Sequence, residues 1–207
     1  MSTTSSAFSI DSLLEKISYI QSAIDSEFKM VLNPAWNSSA QDYRLSIRKS
    51  LAEKFTEKFN REQLALLHDL NWIPESDLGF FSISHSQSLG GFTFSEQKHG
   101  FDTEDLRRIS KDVLHRTCYE TEIQQCPRVE FLWVAKEAGI KALSGATGYA
   151  RASQPLVVTN LWASDWKSHF ENKVFSFRLN SSKTLDFGHN KGFIFLEGEK
   201  LFCTYFK

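Results

Sequence analysis

The chain reads as an α+β protein in two halves, each laying a helix against a small antiparallel sheet. Three observations predict this. Residues 9–70 carry apolar side chains at helical spacing, residues 78–97 carry short, partly alternating aromatic runs, and one long helical stretch near 128–143 precedes a last series of strand-like runs. Pro34, Pro74 and Pro127 each fall where one pattern gives way to the next. A length of 207 residues allows one large domain or two of about 100 residues each, and the pattern favours halves at 1–99 and 100–207.

The first helix spans about Ser9 to Leu32, with Leu13, Leu14, Ile17, Ile20, Ile24 and Phe28 on its apolar side and Ser9, Asp11 and Ser12 available as caps. Asn33-Pro34 ends it. A second helix runs from about Gln41 through Phe59, with Leu45, Ile47, Leu51, Phe55 and Phe59 inward and Arg44, Arg48 and Lys49 outward, and a short third follows near Glu62 to Leu70. Leu78–Ser84 and Gly91–Gln97 read as strands around a Ser/Gly turn, and Phe101 to Asp105 continues extended. Residues 106–128 read as loop plus a short helix at Glu120–Gln125. The helix from Arg128 to Leu143 has a stripe of Leu132, Ala135, Gly139 and Ala142 suited to lying close on a sheet. Strands are expected at Leu156–Thr159, Val174–Leu179, Gly192–Leu196 and Leu201–Phe206, the last two joined through Gly198-Glu199.

Composition excludes several classes. With 41% hydrophobic and 24% charged residues the chain is globular in type, and no apolar run approaches the roughly 20 residues of a membrane span. A formal charge of −1 supplies no global field for nucleic acid or an anionic membrane, so neither is an expected partner. The start, Met-Ser-Thr-Thr-Ser-Ser, lacks the basic and apolar regions of a secretory signal, and a cytoplasmic location is expected. Cys118, Cys126 and Cys203 are odd in number and without CxxC spacing, which points to reduced thiols rather than disulfides or structural zinc.

Chemistry concentrates in three fragments: Phe81-Ser-Ile-Ser-His-Ser86, Gly100-Phe-Asp-Thr-Glu104 and Trp133-Val-Ala-Lys-Glu-Ala-Gly-Ile-Lys141. On an extended segment Asp102 and Glu104 leave the same face. On a helix Glu137 and Lys141 stack one turn apart. Three carboxylates, one imidazole and two ammonium groups then surround a space in which a metal-bound pyrophosphate fits. Taken singly, each fragment also has an ordinary reading: a solvated strand end for Asp102 and Glu104, an exposed helix face for Lys136, Glu137 and Lys141, a structural histidine for His85.

Taken together, in this order and with about thirty residues between the second and third, the fragments resemble the signature of the 4'-phosphopantetheinyl transferases. The resemblance covers Phe81 to Lys141; the segments before and after it match only in length and class. It implies two similar α+β halves related by a pseudo-two-fold axis, and a monomer, because a chain of this length supplies both halves of the site itself. It implies transfer of the phosphopantetheine arm of coenzyme A to a serine hydroxyl of an apo acyl or peptidyl carrier protein, with release of 3',5'-ADP. The carriers are acidic, and Arg107, Arg108, Lys111 and Arg116 form a basic cluster that suits such a partner.

The same resemblance assigns roles. Asp102, Glu104 and Glu137 are the implied Mg²⁺ ligands, in keeping with the preference of that ion for a few carboxylates completed by phosphate and water. Lys136 and Lys141 bear on the phosphates, Glu137 is the implied base, and Lys136 is grouped with it as catalytic. Ser84 and His85 contact the nucleotide 3'-phosphate, and Arg48 and Arg44 add charge to that pocket. Three positions depart from the family pattern: Phe101 and Thr103 stand where Ile or Val is usual, and Ser82 where Asn is usual. Phe101 and Thr103 should alter packing rather than ligands, because they face away from the carboxylates on an alternating strand. A competing expectation is a module that binds coenzyme A or a carrier without turnover. An unrelated metal-dependent phosphohydrolase would share the carboxylates and leave the Ser-His segment unexplained.

Overall fold

Ser9 caps the first helix, α1 (Ile10–Ile24), by accepting a hydrogen bond from Ser12 N, and Asp25 stops it in a left-handed conformation, φ 50°. The computed structural model describes residues 9–144 and 156–207, so the reading of the first six residues lies outside them. Beyond Asp25 the pattern-based helix gives way to a strand, β1 (Phe28–Asn33). Phe28 satisfies both periods. Met30 and Leu32 face the same core as Phe28 while Val31 faces another, so an alternation of two prevails.

After a 3-10 turn at Pro34–Trp36 comes α2 (Tyr43–Lys54), shorter than the span to Phe59 that its apolar spacing predicts. Phe55 leaves the helix, yet it and Phe59 still enter the core. The third helix, α3 (Arg61–Leu66), is closed by a reciprocal cap between Asn60 and Gln63 and stops four residues before Leu70. Next come β2 (Glu75–Ser76), which the pattern did not show, β3 (Gly79–His85) and β4 (Gly90–Ser95). These strands form an antiparallel sheet in the order β1-β4-β3-β2. Ile47 and Leu51 of α2 pack with Phe81, Phe92 and Phe94 on one of its faces.

The chain then passes to a second sheet through β5 (His99–Asp105). Residues 106–128, expected to hold one short helix, hold two: α4 (Lys111–Thr117) and α5 (Glu120–Gln125). The long helix, α6 (Val129–Leu143), follows. The strand expected at Leu156–Thr159 is displaced: Val158–Asn160 is a 3-10 turn and β6 runs Leu161–His169. A bulge between Ser164 and Lys167, with Asp165 at φ 54°, breaks the alternation by which β6 would have been recognised. Then come β7 (Val174–Ser181), β8 (Lys191–Glu197) and β9 (Lys200–Phe206). The last two join through Gly198-Glu199, where Gly198 takes the positive φ of 61° that a two-residue hairpin requires.

This antiparallel sheet is ordered β5-β9-β8-β7-β6. Helix α6 covers one face, with Ala135, Ala138 and Ile140 against Leu179, Ile194 and Tyr205. Helix α1 covers the other, with Leu13, Ile17 and Ile20 against Phe193, Phe195 and Phe202. Lys16 of α1, 2% exposed, ties it down through Glu197 at 2.8 Å. The result is an α+β fold of six helices and two antiparallel sheets among the described residues. None of these helices is long and apolar enough to cross a membrane.

The two sheets meet where β3 approaches β5. Their joint is made by side chains: Ser82 Oγ accepts from Phe101 N at 2.8 Å and Ser84 Oγ accepts from Thr103 N at 3.2 Å. Two serines on one face of β3 therefore satisfy the edge donors of β5. Phe101 turns into the core beneath α1, and Thr103 Oγ1 donates to Leu201 O at 3.0 Å.

Candidate functional site

Gly100 sets the distance between β5 and α6. A Cβ there would run into Ala138 O, Ala142 N and the Lys141 side chain, so only glycine lets the helix lie this close on the strand. Gly100, Asp102 and Glu104 share the strand face that looks toward α6. Asp102 is 8% exposed, and its Oδ1 accepts from Ser84 Oγ at 2.8 Å and from Lys141 Nζ at 2.8 Å. Lys141 completes its three donors on Ser84 Oγ at 3.1 Å and Phe101 O at 2.9 Å. One residue from each of the three sequence fragments thus meets in a single knot at the junction of the sheets.

Glu137 and Glu104 flank this knot. Burial, then the charge of Asp102, pushes the Glu137 carboxyl up, against the pull of Lys141. Burial likewise raises Glu104, whose Oε1 accepts from Asp105 N at 2.9 Å and lies 3.5 Å from Arg108. Among the described residues no group of three or more His, Cys, Asp or Glu side chains forms a ready cage for a metal ion. The donor set still suits magnesium. Asp102 and Glu137 repel one another, and a bound divalent cation would relieve that repulsion.

His85 lies at the end of β3, its Nε2 3.2 Å from Tyr43 Oη and its ring set edge-on to the phenol at 4.6 Å. Burial first, then Lys141 and Arg44, hold its pKa down at about 4, so the ring is neutral at physiological pH. Arg44 Nε donates to the same Tyr43 hydroxyl at 3.1 Å. Arg48 faces a neighbouring cleft of about 220 Å³, between α2, the 70–75 loop, β3 and the end of α6, with Lys98, His99 and Lys141 also on its wall. Its Nη2 donates to Trp72 O at 2.8 Å and Leu70 O at 3.3 Å, while its buried Nη1 has no hydrogen-bond partner among the described residues. A buried guanidinium with an unused donor at a cleft is an anchor for an anion.

The structure brings together Ser84, Asp102 and Lys141, with Glu104, Glu137, His85, Arg44 and Arg48 around them. Lys136 is not brought there. It is fully buried, and its Nζ donates to Glu122 Oε2 at 2.8 Å and Thr117 O at 2.7 Å, so it holds α6 to the α4–α5 segment. Two neighbours escaped the sequence reading. Tyr43 adjoins Arg44 on α2 and bridges it to His85, and Lys98 precedes the Gly100 motif by two residues. An aromatic beside a basic helix residue was the available signal for Tyr43.

No protein-family model matches the chain, and no curated protein sequence is significantly similar to it.

Proposed function

We propose that the protein is a 4'-phosphopantetheinyl transferase, moving the phosphopantetheine arm of coenzyme A to a serine of an apo carrier protein. The observation that supports it most is the Ser84–Asp102–Lys141 knot, in which the three motif fragments converge at the sheet junction. A pseudo-two-fold relation of the halves belongs to the same reading, supported by a helix on one face of each antiparallel sheet, α2 on the first and α6 on the second. So do a monomeric state and a cytoplasmic location.

The serine Oγ of the carrier attacks the pantetheine-bearing phosphorus, the bond from that phosphorus to the bridging oxygen breaks, and 3',5'-ADP leaves with the electron pair. The serine proton goes to Glu137, whose raised affinity for a proton fits a base. Asp102, Glu104 and Glu137 would hold Mg²⁺, which when bound neutralises charge on the pyrophosphate and the departing nucleotide. Lys141 trades its bond to Asp102 for one to phosphate. Arg48 and Lys98 in the cleft, with Ser84, His85 and Arg44 beside it, receive the nucleotide end. Among the basic residues facing a carrier, Lys111 and Arg116 form no ion pair within the described residues, whereas Arg107 and Arg108 are engaged with Glu199 and Glu104.

One observation favours a second reading, a module that binds coenzyme A or a carrier without turnover: Lys141 already pairs with Asp102, one of the three carboxylates, at 2.8 Å. Incubation with coenzyme A, magnesium and a panel of apo carriers decides between them by mass spectrometry. A phosphopantetheine added to a carrier by the wild type and not by Asp102→Ala supports transfer. Coenzyme A bound equally with and without magnesium, in wild type and Glu137→Ala alike and with no carrier modified, supports the module.

A further inference from the structure

The second sheet carries a separate concentration of positive charge where α1 ends. A groove of about 670 Å³ opens there, lined by Lys167, His169, Arg178, His189 and Lys191, with Asp165 the only carboxylate on it among the described residues. The β-bulge explains how it is built. Ser164 lies opposite Arg178 and Lys167 opposite Ser176, so β6 spends one more residue than β7 over this stretch. In an unbroken ladder Trp166 would lie opposite Ser176. The extra residue puts Lys167 there and turns the indole onto Phe177 and Phe131, on the α6 side. The left-handed backbone of Asp165 is the strained step that exchanges an indole for an ammonium on this face.

The β7–β8 pairing ends with Phe177 opposite Gly192, and the residues just beyond that pair, Arg178 and Lys191, both line the groove. Like charges lining one groove repel, and among the described residues none of Lys167, Arg178 and Lys191 has an acidic ion-pair partner. Lys191 is held in place by donating to Ala23 O, in the last turn of α1, at 2.9 Å. His169, whose Nε2 is 2.9 Å from Ser176 Oγ, has its pKa pulled down by burial and then by Lys191 and Lys167. Three uncompensated cations, two imidazoles and a volume within the roughly 300–1,000 Å³ of small-ligand sites make an anion receptor.

We infer that this groove is a second site, distinct from the Asp102 junction, for a ligand bearing two or more phosphates. The ligand is a free phosphorylated metabolite or the headgroup of a phosphoinositide. The inference does not depend on the proposed transfer, because the two sites share none of their lining residues.

The test titrates the full chain with inorganic tripolyphosphate, and separately with phosphatidylcholine vesicles with and without phosphatidylinositol bisphosphate. Wild type should bind one of these phosphate sources, and the Lys167→Glu/Arg178→Glu double variant should lose about tenfold or more in affinity. Both groups are exposed, so the variant should keep the wild-type circular dichroism and thermal midpoint, and coenzyme A binding within about twofold. Tripolyphosphate binding assigns a soluble ligand, and binding only to phosphoinositide vesicles assigns a headgroup. Equal affinity in wild type and variant overturns the inference, as does a parallel loss of coenzyme A binding or capture of poly-glutamate in preference to either phosphate source.

Discussion

Two lysines five residues apart on α6 each end in an ion pair of 2.8 Å, and they do opposite work. Lys136 meets Glu122 where both side chains are buried, at 0% and 2% exposure. Every strong acceptor there is used: Glu122 Oε2 also takes Tyr119 N, and its Oε1 takes Ala163 N at 2.8 Å. Lys141 meets Asp102 at the edge of a cleft, with its side chain 30% exposed. A closed pair has nothing to exchange. An open pair can give up its partner to an incoming anion, and this separates scaffold from candidate machinery on one helix.

The largest effect should come from breaking the closed pair. Lys136→Met leaves the Glu122 carboxylate buried without its cation and should lower stability by about 3–5 kcal/mol in urea unfolding. The Lys136→Met/Glu122→Gln double variant should recover part of that loss. If Lys136→Met unfolds like wild type but fails to bind coenzyme A, the division of labour between the two lysines is wrong.

Breaking the open pair should do the reverse. Lys141→Met should lower kcat/KM of the proposed transfer about 100-fold, close to 2.7 kcal/mol, while stability falls by only about 1 kcal/mol. A stability loss as large as that of Lys136→Met would make Lys141 scaffold as well.

Two histidines, His85 and His99, are held at a pKa of about 4. His99 is 3% exposed, bonded through Nε2 to Thr93 Oγ1 at 2.7 Å, and burial is its dominant cause. The unfolded chain takes up this proton near pH 6.5 and the folded one only near 4, so stability is intact above 6.5 and falls as the pH drops through that window. The slope for His99 should be about 1.4 kcal/mol per pH unit, and His99→Gln should flatten it. Glu137 acts with the opposite sign: its raised carboxyl loses stability as the pH rises above 4.5, so Glu137→Gln should be more stable than wild type near neutrality.

What was legible follows the range of the interaction. Motif spacing places Asp102, Glu104, Glu137 and Lys141 because each lies on a regular element whose period fixes its face. Helix α1 was legible to Ile24 and no further, since the apolar spacing runs on through Phe28 and only pairing with β4 makes that segment a strand. Strand β6 was hidden by its bulge at Asp165. Lys136 was misleading because a helical lysine beside Glu137 gives no local sign that Glu122, fourteen residues back, waits inside the fold. Ser82 carries a similar lesson, since its Oγ finds Phe101 N only once two sheets meet.

The smallest expected effect tests the outer end of the site. Tyr43→Phe keeps the edge-on ring against His85 and removes only the hydroxyl that joins His85 Nε2 to Arg44 Nε. A single neutral hydrogen bond contributes about 1 kcal/mol, so coenzyme A affinity should fall about fivefold, with the unfolding midpoint nearly unchanged. The loss should vanish for 3'-dephospho-coenzyme A if His85 and Arg44 meet the 3'-phosphate. An equal loss for both ligands would place the phosphate elsewhere in the cleft, where Arg48 Nη1 has no hydrogen-bond partner among the described residues.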